Sequence, residues 1–152
     1  MRTCRFSNQQ HYIAAGKTRT ETRTTAIISG MYNVQFCPFS DVDGELEVIC
    51  KLSRQWIKSW RNPFGTASWI HLILAGCHPF EDGNGRMARL IASIPLIKNG
   101  YPPISLAMAR RTDYYAAINK AHKGDHSAFV QGMLLGMQET ISSVRSLLST
   151  VS

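Results

Sequence analysis

At 152 residues, with 44% apolar and 18% charged side chains, the chain suits one domain with a substantial hydrophobic core. No apolar run is long enough to span a bilayer, and the charged first residues lack the apolar stretch of a secretion signal, so no membrane association is expected. The net charge of +7 suits contact with nucleic acid, an acidic protein or nucleotide phosphates. Much of it lies in Arg2, Arg5, Lys17, Arg19 and Arg23, opposed there by Glu21 alone, and the plainest reading is a solvated basic arm.

In chain order, residues 1–22 are polar and weakly patterned, which predicts loop or partial disorder. The division expected is a polar arm over 1–15 and one domain over 16–152. The stretch "TRTTAIISGMYNVQFCP" mixes β-branched and aromatic residues around Gly30 and predicts a β-hairpin. From Asp41 onward, Leu46, Ile49, Leu52, Trp56, Ile57 and Trp60 recur at helical spacing, with Asp41 or Asp43 available as a cap. A second helix should start near Pro63 and run to Gly76. A third, "GRMARLIASIPLIKNG", should stop at Gly100 and either bend or lose a hydrogen bond at Pro95. "TDYYAAINKAHKG" predicts a helix capped by Thr112 and closed by Gly124, and "SAFVQGMLLGMQETISSVRSLL" predicts the last. The fold class is therefore mainly α with one hairpin. Cys4, Cys37, Cys50 and Cys77 are scattered, without CxxC or metal-ligand spacing, and read as reduced thiols of a cytoplasmic compartment, three of them in apolar surroundings.

Between two apolar helices stands "CHPFEDGNGRMARL", residues 77–90, where a plain turn would suffice. A helix beginning near Gly85 presents unpaired amides and the positive end of its dipole, a ready site for phosphate. Gly83 and Gly85 let the backbone come close to phosphate oxygens. Arg86 and Arg89 fall on a similar face, where both guanidiniums could meet further oxygens. Asp82 is a poor neighbour for phosphate alone and a sensible ligand with Mg²⁺ between them. His78, at the entrance, can take a proton near neutral pH. Each residue taken singly has a plainer explanation as a turn, a helix end or a solvated charge.

Together they read H-P-F-x-D-G-N-G-R-x-x-R, and this chain closely resembles the Fic (Fido) family. "RTTAIISG" looks like that family's flap strand, "NGYPPI" is typical of the stretch after its motif helix, and "DYYAAINKAHKGDHSAFV" is similar to its Tyr-Tyr segment and Gly-Asp turn. The likeness covers roughly residues 16 to 135. It implies an α-helical core with a β-hairpin flap over the active-site loop. It also implies protein adenylyltransfer (AMPylation), moving AMP from ATP to a hydroxyl of a target protein.

The same resemblance assigns roles. His78 would be the general base for a Ser, Thr or Tyr hydroxyl attacking the α-phosphate. Asp82 would hold Mg²⁺ across the α- and β-phosphates. Gly83, Asn84 and Gly85 would form the anion hole, with the Asn84 side chain near the α-phosphate, while Arg86 takes the β- and Arg89 the γ-phosphate. Pro79 and Phe80 would plug the core, and Glu81 has no role. Ser29, Gly30, Met31 and Tyr32 would clamp target backbone and nucleotide, and Tyr115 and His122 would contact adenine. His122 stands where the family pattern leads us to expect Asn, which leaves base selectivity open. The alternatives are transfer of another nucleotide, phosphocholine or phosphate on the same fold, or a non-catalytic nucleotide-binding module. Kinases of the Doc type carry Lys where this chain has Gly85, and retired sites usually lose His78 or Asp82. Nucleic acid is not expected as a partner, since nothing forms a helix-turn-helix.

Many Fic proteins silence themselves through [S/T]-x-x-x-E-[G/N]. Four positions before Glu21, Glu45, Glu47, Glu81 and Glu139 stand Lys17, Asp41, Asp43, Cys77 and Leu135, and none of the five is followed by Gly or Asn. The expectation is that Arg89 meets no inhibitory glutamate of this kind in the chain, and that inhibition comes from a separate partner or a further N-terminal segment.

Overall fold

The structure, a computed structural model, describes residues 2–6, 9–13, 15–28, 34–105 and 111–149. The chain opens with an antiparallel hairpin of β1 (Arg2–Phe6) and β2 (Gln9–Ile13), in register from Arg2 opposite Ile13 to Phe6 opposite Gln9. A one-turn helix α1 (Arg19–Thr22) follows. The sequence led us to expect loop through residue 22, and this is corrected. The two strands are joined by only two residues, so closing them costs little chain entropy. Their Arg, Gln and His content hides the alternation that usually marks a strand.

The expected hairpin forms from β3 (Ile27–Ile28) and β4 (Val34–Gln35), with Ile27 opposite Gln35 and Ile28 opposite Val34. Its tip, with Ser29, Gly30, Met31 and Tyr32, lies outside the described residues. Five further helices make the body: α2 (Val42–Ser59), α3 (Pro63–Cys77), α4 (Asn84–Lys98), α5 (Arg111–His122) and α6 (Ser127–Ser149). The mainly helical fold with a hairpin is thus observed.

Helix α3 is the centre. Thr66, Ala67, Ile70, His71, Leu72, Leu74 and Cys77 are all buried, so it is covered on more than one side, as a helix without a polar face must be. Its start is written locally. The Asn62 side-chain oxygen accepts from the amides of Phe64 (3.1 Å) and Gly65 (3.0 Å), and Pro63 occupies the first turn, where its missing N–H costs nothing. Asp41 occupies the corresponding position before α2, yet its carboxylate takes the Ser40 hydroxyl (2.8 Å) and makes no cap bond.

Helix α4 packs along α3 through the buried Ala88, Ala92 and Leu96. Pro95 is buried inside α4, and the helix continues to Lys98. Asn99 Nδ2 donates to the Pro95 carbonyl at 2.8 Å and closes the end, followed by Gly100 at φ +79°. Thr112 falls inside α5 rather than before it. Gly124, at φ +94°, ends that helix as expected. A second apolar cluster of Leu72, Ala117, Ala121 and Phe129 docks α5 and α6 against α3.

Candidate active site

Helix α3 ends on His78, whose backbone is left-handed (φ 50°, ψ 58°) and whose N–H bonds the Leu74 carbonyl at 3.0 Å. That conformation is uncommon for a residue with a Cβ, and it swings the chain sharply out of the helix. Pro79 is fully buried beyond it, whereas Phe80 is half-buried, so the proline alone fills the core where both were expected to. The loop then closes on itself. Asn84 Oδ1 accepts from the Phe80 amide (2.8 Å) while Asn84 Nδ2 donates to the Phe80 carbonyl (2.6 Å). Both ends of this buried amide are therefore spent on main chain inside the loop, and the structure does not turn it outward toward an anion.

Gly83, at φ +82°, precedes α4, and the first intrahelical donor is Met87, whose N–H bonds the Gly83 carbonyl at 2.9 Å. The amides of Asn84, Gly85 and Arg86 thus come before the hydrogen-bonded ladder. Both motif guanidiniums fold back over this end. A Cβ on Gly83 would lie 3.6 Å from Arg86 Nη2, and one on Gly85 would lie 3.4 Å from Arg89 Nη1. Arg86 Nη2 also meets Asp82 Oδ2 at 3.2 Å, with both side chains about half exposed. Loop amides, two cations and one carboxylate therefore gather at one helix end.

The His78 ring stacks on Phe36 from the returning leg of the hairpin, with centroids 3.9 Å apart and planes 24° from parallel. Burial pulls its pKa below 6.5; the Ala75 carbonyl, accepting from the ring, partly offsets this, and the Arg19 guanidinium adds to the lowering. The imidazole is neutral at neutral pH, as a proton acceptor must be.

Behind Arg89 lies a pair that sequence reasoning missed. The Tyr114 hydroxyl is 2.9 Å from Nε2 of His71, and the Arg89 charge lies near enough to act on both groups. His71 is fully buried, and burial first, then the Arg89 charge, lowers its pKa to about 3. Tyr115 is 43% exposed, with its ring 5.4 Å from that of Tyr114, and so offers an open aromatic face. His122 sits two turns further along α5, and its side chain lies outside the described residues. Arg19, expected in a solvated arm, is instead 1% exposed and lies beneath the loop. Cys77 is buried, Cys37 partly so, and Cys50 is exposed.

Among the described residues no group of three or more His, Cys, Asp or Glu side chains could hold a metal ion. Asp82 is an accessible carboxylate beside the amides that open α4. Such a donor set fits Mg²⁺ shared with a polyphosphate, since that ion commonly takes one or two carboxylates plus substrate oxygens, and it does not fit an all-protein cage.

Comparison with known proteins agrees with this geometry. The chain is 34% identical over 92 residues to protein adenylyltransferase Fic of Drosophila mojavensis, covering 58% of this chain and 18% of that protein. It is 40% identical over 70 residues to protein adenylyltransferase fic-1 of Caenorhabditis elegans, covering 46% and 14%. The chain thus spans less than a fifth of the curated relatives it matches. A solved structure of Fic-1 from C. elegans superposes with a TM-score of 0.64 at 28% identity, over 83% of this chain and 38% of that one. A Fic domain containing signaling protein from Bacteroides thetaiotaomicron shares the fold, with a TM-score of 0.66 at 20% identity over 91% and 53% of the two chains. Residues 5–96, more than half of the chain, match the model of the Fic/DOC family, and the protein belongs to that family.

Proposed function

We propose that the protein is a protein adenylyltransferase, transferring AMP from ATP to a Ser, Thr or Tyr hydroxyl of a target protein. The observation that carries this reading is that one loop joins a neutral His78 at the end of α3 to the free amides at the start of α4, over which two guanidiniums fold. A target hydroxyl gives its proton to the bare ring nitrogen of His78. Its oxygen forms the bond to the α-phosphorus as the bond to the bridging oxygen of pyrophosphate breaks. The amides of Asn84, Gly85 and Arg86 meet the α-phosphate oxygens, so Asn84 contributes through its main chain while its side chain braces the loop. Arg86 and Arg89 take charge on the β- and γ-phosphates. Mg²⁺, when bound at Asp82 with the phosphates, supplies neutralisation of the charge that develops on the leaving group.

The exposed face of Tyr115 suits stacking on adenine, with His122 further along the same helix. The flap residues Ser29, Gly30, Met31 and Tyr32 would align the target segment as an added strand. Transfer of the γ-phosphate instead is disfavoured by Gly85, since kinases of the Doc type carry lysine at this position. Cys37, Cys50 and Cys77 are free, and we place the protein in a reducing, cytoplasmic compartment, restrained by a separate inhibitory partner.

The test uses ATP labelled at the α- or the γ-phosphate, incubated with the protein and a cell lysate. Covalent label from the α-position, none from the γ-position, and none with His78→Ala is the expected pattern. Label from the γ-position would reassign the protein as a kinase. No label from either, in the presence of Mg²⁺, would leave it a binding module.

A further inference from the structure

The four groups that accept from the Arg19 guanidinium are all main-chain carbonyls. Nε donates to the His78 carbonyl at 2.6 Å. Nη2 donates to the Cys77 carbonyl (3.1 Å) and the Cys37 carbonyl (2.7 Å), and Nη1 donates to the Thr24 carbonyl (3.1 Å). Its own amide donates to the Pro79 carbonyl at 2.7 Å, and its carbonyl accepts from the Thr24 amide at 3.3 Å. Thr24 lies on the leg that enters the flap hairpin and Cys37 on the leg that leaves it, while residues 77–79 carry the base.

A cation held at 1% exposure is costly to desolvate, and carbonyl dipoles compensate only where several point at it. Here they do so from three separate stretches of chain. The planar fork of arginine spreads five N–H donors over three nitrogens and can serve all four carbonyls, whereas an ammonium has three donors on one nitrogen. The arrangement also meets a specific local need. The carbonyl of His78 belongs to a left-handed residue at a helix end, where no intrahelical partner is available to it.

We propose that Arg19 is a positioning residue of the transfer reaction, locking the His78 main chain and both legs of the flap into one frame. It acts on the base and on the flap that aligns the target, not on the phosphate nest. That nest is braced separately by Asn84 on Phe80. Loss of the fork lets the His78 ring drift against Phe36, and misplacement of a reacting group by about 1 Å can cost on the order of 10²-fold in rate. The inference rests on His78 being the base of an AMP-transfer reaction.

The experiment compares wild type, His78→Ala, Arg19→Lys and Arg19→Gln with α-labelled ATP, expressing each rate per nucleotide-binding site titrated in the same preparation. The expected result for Arg19→Lys is kcat lowered about 10- to 100-fold with KM for ATP within about twofold of wild type. Arg19→Gln should be lower still. A residue serving the fold alone would reduce the number of binding-competent sites and leave the rate per site unchanged, which would overturn the proposal. If neither variant yields any nucleotide-binding fraction, Arg19→Ala is assayed with millimolar guanidinium chloride, which should restore both binding and transfer by refilling the site. Failure to restore either assigns Arg19 to the fold as a whole and also overturns the proposal. If wild type transfers no label, or His78→Ala transfers as well as wild type, the reading of the reaction itself falls; wild-type rates in Arg19→Lys beside an inert His78→Ala sink this inference alone.

Discussion

The hydroxyl of Tyr114 lies 2.9 Å from Nε2 of the fully buried His71, and the Arg89 charge acts on both groups. Tyr114 and the neutral His71 ring share this one hydrogen bond, its direction set by which ring nitrogen carries the proton. Nδ1 is itself buried without a partner among the described residues. The Arg89 charge thus stands beside a polar pair that runs back into the core of α3.

Tyr114→Phe removes the hydroxyl that bonds His71 beside the Arg89 charge while keeping the ring packed against Phe129. Hydrogen bonds to charged groups are worth about 1.5–3 kcal/mol, so the preference for ATP over ADP should fall by roughly tenfold. Titration calorimetry with the two nucleotides reads this directly. An unchanged preference would show that Arg89 is positioned without Tyr114.

The depressed pKa of His71 also predicts how stability depends on pH. Its folded value of about 3 lies below the unfolded value of 6.5, so the unfolded chain takes up a proton that the folded chain refuses. The stabilisation is fully present above pH 6.5 and is lost progressively as pH falls toward 3, by several kcal/mol over the window. His78, also depressed, acts in the same direction. Urea unfolding midpoints at pH 7.5 and 4.5 should converge in His71→Gln, whose amide can still meet the Tyr114 hydroxyl and does not titrate. A wild-type-sized drop in that variant would place the acid sensitivity elsewhere.

His78→Ala should reduce transfer by at least about 10²-fold and leave ATP affinity nearly unchanged, because the ring sits at the entrance and not among the loop amides. In the wild type, the acid limb of the rate profile should lie below pH 6.5, since burial holds the imidazole neutral. A limb centred above 6.5 would mean that another group takes the proton.

Gly85 separates two kinds of crowding. Gly85→Ala brings a methyl to 3.4 Å from the flexible tip of Arg89, which can yield by a few tenths of an ångström, so activity should fall only a few-fold. Gly85→Lys displaces Arg89 and fills the approach to the helix end, and AMP transfer should drop by about two orders of magnitude, commensurate with losing one preorganised anion donor. Equal kinetics for the two variants would mean that the nucleotide lies elsewhere.

Asp82→Ala should abolish stimulation of transfer by Mg²⁺ together with most of the activity. It also frees Arg86 from its 3.2 Å ion pair, so ATP binding without metal should tighten or stay level. Mg²⁺-dependent turnover persisting in the variant would remove Asp82 from the metal's ligands.

What sequence alone determined was everything specified within a few residues. Asn62 followed by Pro63 writes a helix start, Gly124 writes an end, and the 3.6-residue recurrence from Leu46 to Ile57 marks a buried face. The loop from His78 to Arg89 was legible for the same reason, since its glycines, helix start and paired arginines lie within one turn and one helix. Tertiary structure decided what depends on partners distant in the chain. Arg19 looks like any surface cation until its fork meets carbonyls 58 and 59 positions away, and nothing near it in sequence announces that burial. His71 reads as one polar residue on an apolar helix until Tyr114, 43 positions on, supplies its hydroxyl. The hairpin over β1 and β2 stayed hidden because polar side chains carry no burial pattern, and its hydrogen bonds are made by the backbone alike for every residue type. Local sequence encodes dihedrals and caps, whereas the surroundings of a buried polar group are set by whichever segments packing brings against it.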